Sequence, residues 1–500
     1  MYITQLLVKN VKLMRDLALD FTHEGKPRMW TAFVAENGAC KTTLLQMIAL
    51  AASGPERANQ LADVPSLPDL RRPAEPALIS AGFNFGGRLE KWRAFPEPRF
   101  SNSEVNVAFA PGENGLRSSL RIEPQQSTFS GHSWFGPTDD FAFSAANESH
   151  LSPDAAKAAI EKILAGRVEK VDAGHFELKY DVASSDETAV AMLLNRFLFA
   201  RSPLSEARSK SLPGWFVAGY GTQRQLPVPL SASEMKDRVL NRLEPLFGKA
   251  PLVGTGFANQ FVDTPRFEPF LKALKTVFVD NHLLPHVDAV ELRGRGGVTE
   301  PGDLVRSHAF EFAFSGQKTK VPATWLSQGY QSTIAWIADL IGQMYLDVGE
   351  AIPLEDMEGM VLVDELDLHL HPTWQVRLVP VLKRVFPRMQ FIVTTHSPML
   401  LPALEPHEIM MLRLNENGDV VADAPSASPK LMTGSEIYSS FFNIQKLYPS
   451  DLGDELRRYT YLSSDPTRTD EEDAEMLRLR KKLLDAGLDL GLPPVPRDAQ

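Results

Sequence analysis

Ala35-Glu36-Asn37-Gly38-Ala39-Cys40-Lys41-Thr42-Thr43 lies between an apolar run, Trp30 to Val34, and a stretch of Leu, Met, Ile and Ala that continues to Ala52. A phosphate-binding loop reads Gly, four free positions, then Gly-Lys-Ser/Thr, and here Ala35 and Cys40 fill both glycine slots. The parts that meet phosphate are in place all the same. The apolar run predicts a strand feeding the loop, and Thr43 to Ala52 predicts a helix whose N-terminal amides and dipole favour an anion. Lys41 can reach β and γ phosphates, and Thr42 can place its hydroxyl on Mg²⁺. Asn37, Gly38, Ala39, Cys40, Lys41, Thr42 and Thr43 are therefore the expected nucleotide cradle.

Three further motifs follow in order. Gly359 to Val363 is a continuous apolar run ending in Asp364-Glu365, the form of a buried parallel strand that delivers carboxylates at its C-terminal end. Asp364 is the expected Mg²⁺ holder, through water, and Glu365 the group that polarises the attacking water. Arg388 to Thr395 predicts a second such strand, ending in His396-Ser397-Pro398, where His396 can sense the γ-phosphate. Upstream, Leu326-Ser327-Gln328-Gly329-Tyr330-Gln331-Ser332 opens a long amphipathic helix, and Ser327, Gly329 and Gln331 offer a second anion-binding surface. One loop suffices for one triphosphate, so a second surface implies geometry in trans.

This order resembles the ATP-binding-cassette ATPases, and more narrowly their RecF/SMC/OLD-like branch. Tyr2-Ile3-Thr4-Gln5-Leu6-Leu7-Val8-Lys9-Asn10, the Glu36-Asn37-Gly38 turn and Leu368-His369-Leu370-His371-Pro372 match that branch. Gly219-Tyr220-Gly221-Thr222-Gln223-Arg224 and the pattern from Thr433-Gly434-Ser435-Glu436 to Glu475-Met476-Leu477 are similar to segments of predicted ATPases in bacterial anti-phage systems. The resemblance implies an α/β, ABC/SMC-like head: a mixed β-sheet with a phosphate loop and flanking helices. Helical spacing between about 150 and 320 adds a mixed, largely helical insertion, and without sustained heptads no long coiled coil is expected. The resemblance implies ATP and Mg²⁺ as cofactors, Glu365 and His396 as catalytic residues, and a head-to-head dimer or higher oligomer. It also leads one to expect a glutamine linking the ATP site to the insertion, for which Gln223 and Gln225 are candidates.

The 500 residues, 43% of them hydrophobic, are ample for a large core, and a net charge of −11 argues against a uniform nucleic-acid coat while leaving a local basic patch open. No stretch approaches the run of about 20 apolar residues that spans a membrane. No signal peptide is evident, and one cysteine excludes an intrachain disulfide, so a cytoplasmic location with no membrane partner is expected. The expected lobes are 1–150 with the loop and β-hairpins, 151–320 as a mainly helical insertion, 321–430 as the second ATPase lobe, and 431–500 as a helical segment and tail. Ser152-Pro153-Asp154 up to Gly166, Val190 to Phe199, and Phe267 to Phe278 have helical spacing, and Thr469 with Glu472 makes a capping box for a helix stopped by Gly487.

His369 and His371 lack a third ligand cluster, so a structural or dimer-contact role is favoured over metal. Arg478, Arg480, Lys481 and Lys482 read as a solvated helix face. Arg88, Lys91, Arg93 and Arg99 with Trp92 and Phe95 make a better nucleic-acid candidate, though a hairpin surface is the default. Arg224 can pair with phosphate or with a carboxylate. The residues after His396 show no Toprim-like Glu followed by Asp-x-Asp on strand ends, which points to a nuclease-like effector encoded nearby and acting in trans. The alternatives are a RecF-like ATPase clamping duplex DNA, and a nucleotide-binding scaffold that hydrolyses slowly or not at all.

Overall fold

The chain opens with a hairpin, β1 (Tyr2–Val11) and β2 (Met14–Asp20), and then runs through β3 (Trp30–Val34) into the loop and helix α1 (Lys41–Ser53). In the computed structural model, β4 (Ala77–Asn84), β5 (Gly115–Ile122) and β6 (Ser130–Gly136) join the hairpin in an antiparallel sheet ordered β2-β1-β4-β5-β6. β7 (Val217–Tyr220), β8 (Gly359–Val363), β9 (Met389–Thr395), β10 (Ile409–Leu414) and β11 (Val420–Asp423) join β3 in a second sheet. Its order is β7-β8-β9-β3-β10-β11, parallel throughout except for the last pair. The α/β class and the mixed sheet with flanking helices are thus as expected.

Residues 1–84, 106–108, 115–136, 177–179, 215–224, 237–284, 286–291, 309–314, 317–322, 325–425, 427–444, 450–488, 490 and 494–495 are described by the structure. They divide into two compact units, 1–430 and 431–500. The helices expected at 152–166 and 190–199, Gln225, and the basic-aromatic run from Arg88 to Arg99 lie outside the described residues.

Helix α1 explains why there are two sheets. Its Leu44, Leu45, Met47, Ile48, Ala49 and Leu50 are all buried, so the helix has no apolar stripe and polar back but is apolar all round. Such a helix needs cover on every side, and it packs against β4 and β5 of one sheet and β7, β8 and β9 of the other. One hydrophobic cluster accordingly runs from Ile3, Leu6 and Val8 through α1 to Met360, Leu362 and Ile392. Each large side chain so buried is worth about 1.5–3 kcal/mol. The two chemistries of strand are visible in burial. β2 alternates, with Met14, Leu17 and Leu19 inward, whereas β3, β8 and β9 are buried at every position because they are covered on both faces. Gln390, fully buried on β9, mimics a strand partner: its amide exchanges hydrogen bonds with Ile3 (2.7 and 3.0 Å) and donates to the Arg28 carbonyl at 2.8 Å.

The region expected as a mixed, largely helical insertion carries strands in two places among the described residues. Val217–Tyr220 is an edge strand of the main sheet, paired in parallel with β8. Its four apolar residues give no period to read, and its Gly219 is held by close packing, since a Cβ there would sit 2.9 Å from the Leu246 Cβ. A three-stranded antiparallel sheet also forms from Val287–Glu291, Ala309–Phe314 and Gln317–Pro322. The helix expected at 267–278 is present as Phe267–Lys275, continuing into a π turn over Thr276–Asp280. The stretch after Gly54, expected as hairpins and loops, begins with a short helix, Pro55–Leu61. In the C-terminal unit, α4 (Ser450–Ser464) packs on α5 (Asp470–Asp485) through Tyr459, Leu462, Met476 and Leu483. Thr469 and Glu472 form the expected capping box, and Lys482 of the basic face pairs with Glu455 at 2.6 Å.

Candidate nucleotide-binding site

Strand register gathers the motifs. Tyr220 pairs with Val363, Val363 with Val393, and Thr395 with Val34, so β7, β8, β9 and β3 end within two residues of one another. Arg224, Asp364-Glu365, His396 and the loop after Val34 therefore leave the sheet along a single C-terminal edge, where ligands of parallel sheets bind.

In the loop, Gly38 has φ 86° and Cys40 has φ 60°, ψ 23°, the left-handed region. Ala35 has no positive φ. Of the two glycine slots, only that of Cys40 asks for a glycine conformation, at a cost of roughly 1–2 kcal/mol for a residue with a Cβ. Cys40 caps α1 without a side-chain cap bond. Lys41 Nζ donates to the carbonyls of Ala35 and Glu36, both at 2.9 Å, so the loop curls around its own lysine. Burial lowers the pKa of that ammonium, against the pull of Asp364, Glu365 and Asp367. Lys12 adds a second cation beside the helix, with Nζ donating to Thr43 Oγ1 at 2.9 Å.

The strand-end carboxylates are held from several directions. Asp364 Oδ2 accepts from Thr42 Oγ1 at 2.7 Å and Oδ1 from Thr394 Oγ1 at 2.6 Å, while its amide donates to the Tyr220 carbonyl at 2.8 Å. Glu365 is left-handed, φ 46°. Its amide donates to Thr394 Oγ1 at 2.7 Å, and its carbonyl accepts from Arg224 Nη2 at 2.6 Å. Asp367 Oδ1 accepts from Thr395 Oγ1 at 2.5 Å and from the His396 amide at 3.3 Å. Burial and the nearby Lys41 lower the pKa of His396, which favours the neutral imidazole near pH 7. Arg224 is 4% exposed, and burial brings its pKa down to about 10 although Asp364, Asp367 and Glu365 all raise it. The hydrogen bond of Arg224 goes to the backbone carbonyl of Glu365, with the Asp364, Asp367 and Glu365 charges nearby.

Thr394, Asp367 and Thr395 were not singled out in the sequence. A threonine inside a β-branched strand carries no signal of its own, because its partners become neighbours only through the β8–β9 register.

Ser327, Gly329 and Gln331 are brought together at the start of α2 (Gln328–Val348), with Ser327 exposed as its N-cap and Gln331 donating to the Leu326 carbonyl at 2.6 Å. Their neighbours are the residues after Glu365. A Cβ on Gly329 would lie 2.4 Å from the His369 carbonyl oxygen, and Tyr330 meets Trp374 edge-on at 4.2 Å. His369 is left-handed (φ 64°), and His371 caps α3 (Pro372–Val385), accepting from the Thr373 amide at 3.4 Å. Among the described residues no group of three or more His, Cys, Asp or Glu is placed to hold a metal. No helix among the described residues is long and apolar enough to cross a membrane.

Residues 194–401 match the family described as "AAA domain, putative AbiEii toxin, Type IV TA system". That span holds the Ser327 segment, Asp364, Glu365 and His396, and the loop at 35–43 lies before it. The chain is 29% identical over 314 residues to Septu protein PtuA of Bacillus mycoides, covering 62% of this chain and 40% of that protein. It is 37% identical over 119 residues to Septu protein PtuA of Bacillus thuringiensis, 23% of this chain and 30% of that protein. To the Retron Ec83 probable ATPase of Escherichia coli it is 42% identical over 88 residues, 18% of this chain and 16% of that protein. The chain thus spans two fifths or less of the length of these relatives. Among solved structures, the SMC head domain from Thermotoga maritima aligns over 85% of this chain and 100% of that one, at 14% identity and a TM-score of 0.37. By sequence, the chain is similar to Septu protein PtuA and to a retron probable ATPase, and it carries an AAA-domain match over the part of the fold that delivers Asp364, Glu365 and His396.

Proposed function

We propose that the chain is an ATPase of the ABC/SMC-like type, which binds ATP with Mg²⁺ between two heads and controls a nuclease-like partner in anti-phage defence. The observation that carries the reading is the 2.7 Å hydrogen bond between Thr42 Oγ1 and Asp364 Oδ2, which joins the loop to the strand-end carboxylate across the sheet edge. A hydroxyl and a carboxylate in contact are the hard oxygen donors that Mg²⁺ takes from protein beside a triphosphate, so the residues fit the ion. When bound, Mg²⁺ neutralises charge on the β- and γ-oxygens.

The chain's own groups supply the rest. Lys41 exchanges the carbonyls of Ala35 and Glu36 for phosphate oxygens, and the amides from Asn37 to Thr43 with the α1 dipole take the remaining charge. Glu365 orients a water and accepts its proton. His396, kept neutral by burial and Lys41, has one nitrogen to donate to the γ-phosphate. Ser327, Gly329 and Gln331 meet the phosphate held by a second copy, and the close packing of Gly329 on His369 ties that surface to the segment carrying Glu365. The cost at Cys40 fits slow or partner-gated turnover, and the setting is the cytoplasm.

Turnover and oligomeric state, measured side by side in wild type and Glu365→Gln, test the reading. Glu365→Gln is expected to lose about 10²- to 10⁴-fold in kcat and to hold an ATP-dependent dimer. Unchanged turnover in Glu365→Gln would favour the scaffold reading, and turnover stimulated by duplex DNA with a steep salt dependence would favour the DNA clamp.

A further inference from the structure

Arg224 sits just beyond the end of the edge strand β7 and is 4% exposed. Its Nη2 donates to the Glu365 carbonyl at 2.6 Å, while its Nε and Nη1 have no hydrogen-bond partner among the described residues. A buried guanidinium with idle donors lowers stability, and an apolar side chain of similar volume would suit the place better. What the cation does hold is a residue in an unfavourable state. Glu365 has φ 46°, a conformation that a side chain with a Cβ avoids. Three bonds keep it there: its amide donates to Thr394 Oγ1 at 2.7 Å, and its carbonyl accepts both from the Leu368 amide at 2.9 Å and from Arg224. With both flanking peptide groups fixed, the direction in which the Glu365 side chain leaves the backbone is fixed as well.

We propose that Arg224 is a positioning residue for Glu365, its guanidinium clamping the Glu365 carbonyl so that the left-handed turn aims the carboxylate at the attacking water. This rests on the ATPase reading above. The proposal separates Arg224 from the phosphate-binding groups: it acts through Glu365, so its loss slows turnover and leaves nucleotide affinity alone. A phosphate ligand in the same place would do the opposite.

The test uses the full chain as wild type, Arg224→Met, Arg224→Lys, Glu365→Gln and the Arg224→Met/Glu365→Gln double variant. Affinity for a fluorescent ATP analogue with Mg²⁺ and kcat are measured for each, with a melting curve to establish folding. Arg224→Met is expected to keep Kd within about threefold and to lose about 10- to 100-fold in kcat, the scale of one charge-assisted hydrogen bond. Arg224→Lys is expected to fall between, with unchanged Kd, and it carries the test if the Met variant fails to fold. In the Glu365→Gln background, Arg224→Met is expected to cost nothing further. The proposal is overturned if Kd weakens as much as kcat, if Arg224→Lys turns over like wild type, or if the double variant is slower than Glu365→Gln by the full single-variant factor. If Glu365→Gln itself turns over like wild type, the ATPase reading fails first and takes this proposal with it.

Discussion

Thr394→Val asks whether a buried hydroxyl in the central sheet organises the site. Thr394 is fully buried on β9, between β8 and β3. Its hydroxyl donates to Asp364 Oδ1 at 2.6 Å and accepts from the Glu365 amide at 2.7 Å. Valine keeps the shape and the strand preference of threonine and deletes both bonds. A hydrogen bond to a charged acceptor contributes about 1.5–3 kcal/mol, and a buried donor left without a partner costs about 1–3 kcal/mol. Asp364 keeps Thr42 as a second donor, so the two costs overlap. The expected loss is about 2–4 kcal/mol. Thr394→Ser keeps both bonds and gives up one buried methyl, about 1 kcal/mol. Urea unfolding followed by tryptophan fluorescence should therefore rank wild type above Ser and Ser above Val, with Val alone losing most of its ATP turnover. A Val variant as stable as the Ser variant, and hydrolysing like wild type, would refute the role given to this hydroxyl.

Cys40→Gly removes the left-handed penalty of roughly 1–2 kcal/mol but gives the unfolded chain more freedom, so a net gain of about 0.5–1 kcal/mol is expected; a lower melting temperature for Cys40→Gly than for wild type would contradict it. Asp339 on α2 is buried, accepts from the Val253 and Gly254 amides at 2.9 and 3.1 Å and from Tyr220 Oη at 3.2 Å, and is pushed up to about 6 by burial. Its folded pKa exceeds the unfolded value of about 3.9. The folded state therefore holds the proton more tightly, and that stabilisation is complete below about pH 4 and lost as pH rises through about 6. Asp339→Asn has no such titration, so the melting temperature of wild type minus that of the variant should fall between pH 4 and 6 and then level; two parallel curves would show that Asp339 does not titrate in this range.

What could be read in the sequence was what carries its own local signal. Trp30–Val34, Gly359–Val363 and Met389–Thr395 are continuous apolar runs, and strands covered on both faces look like that whatever surrounds them. The gathering of Lys41, Asp364, Glu365 and His396 at one sheet edge followed, because they stand directly after such runs or their loop. What could not be read was whatever depends on pairing. Val217–Tyr220 is too short to show a period, and its membership of the main sheet exists only through its contact with β8. Thr394 looks like one more β-branched strand residue until the register sets it beside Asp364. Arg224 was visible as a cation of a familiar segment, but the sequence offers no reason for it to choose a backbone carbonyl.

In the loop at 35–43 the two missing glycines have different conformational consequences. A glycine in such a pattern can serve two purposes: a left-handed φ, or clearance for an approaching backbone or ligand. At the first slot Ala35 needs no positive φ, and its carbonyl is used as an acceptor for Lys41. Gly38 supplies the one position where φ reaches 86°, with open space where a Cβ would be. Only Cys40 carries a conformational cost, and α1 beyond it is buried between two sheets, with several large side chains each worth about as much as that cost or more. The packing that holds α1 in place thus also holds Cys40 left-handed. The strain belongs to one residue beside Lys41 and Thr42, and its effect should appear in the rate at which those two side chains engage phosphate and Asp364, a quantity that Cys40→Gly changes without touching either.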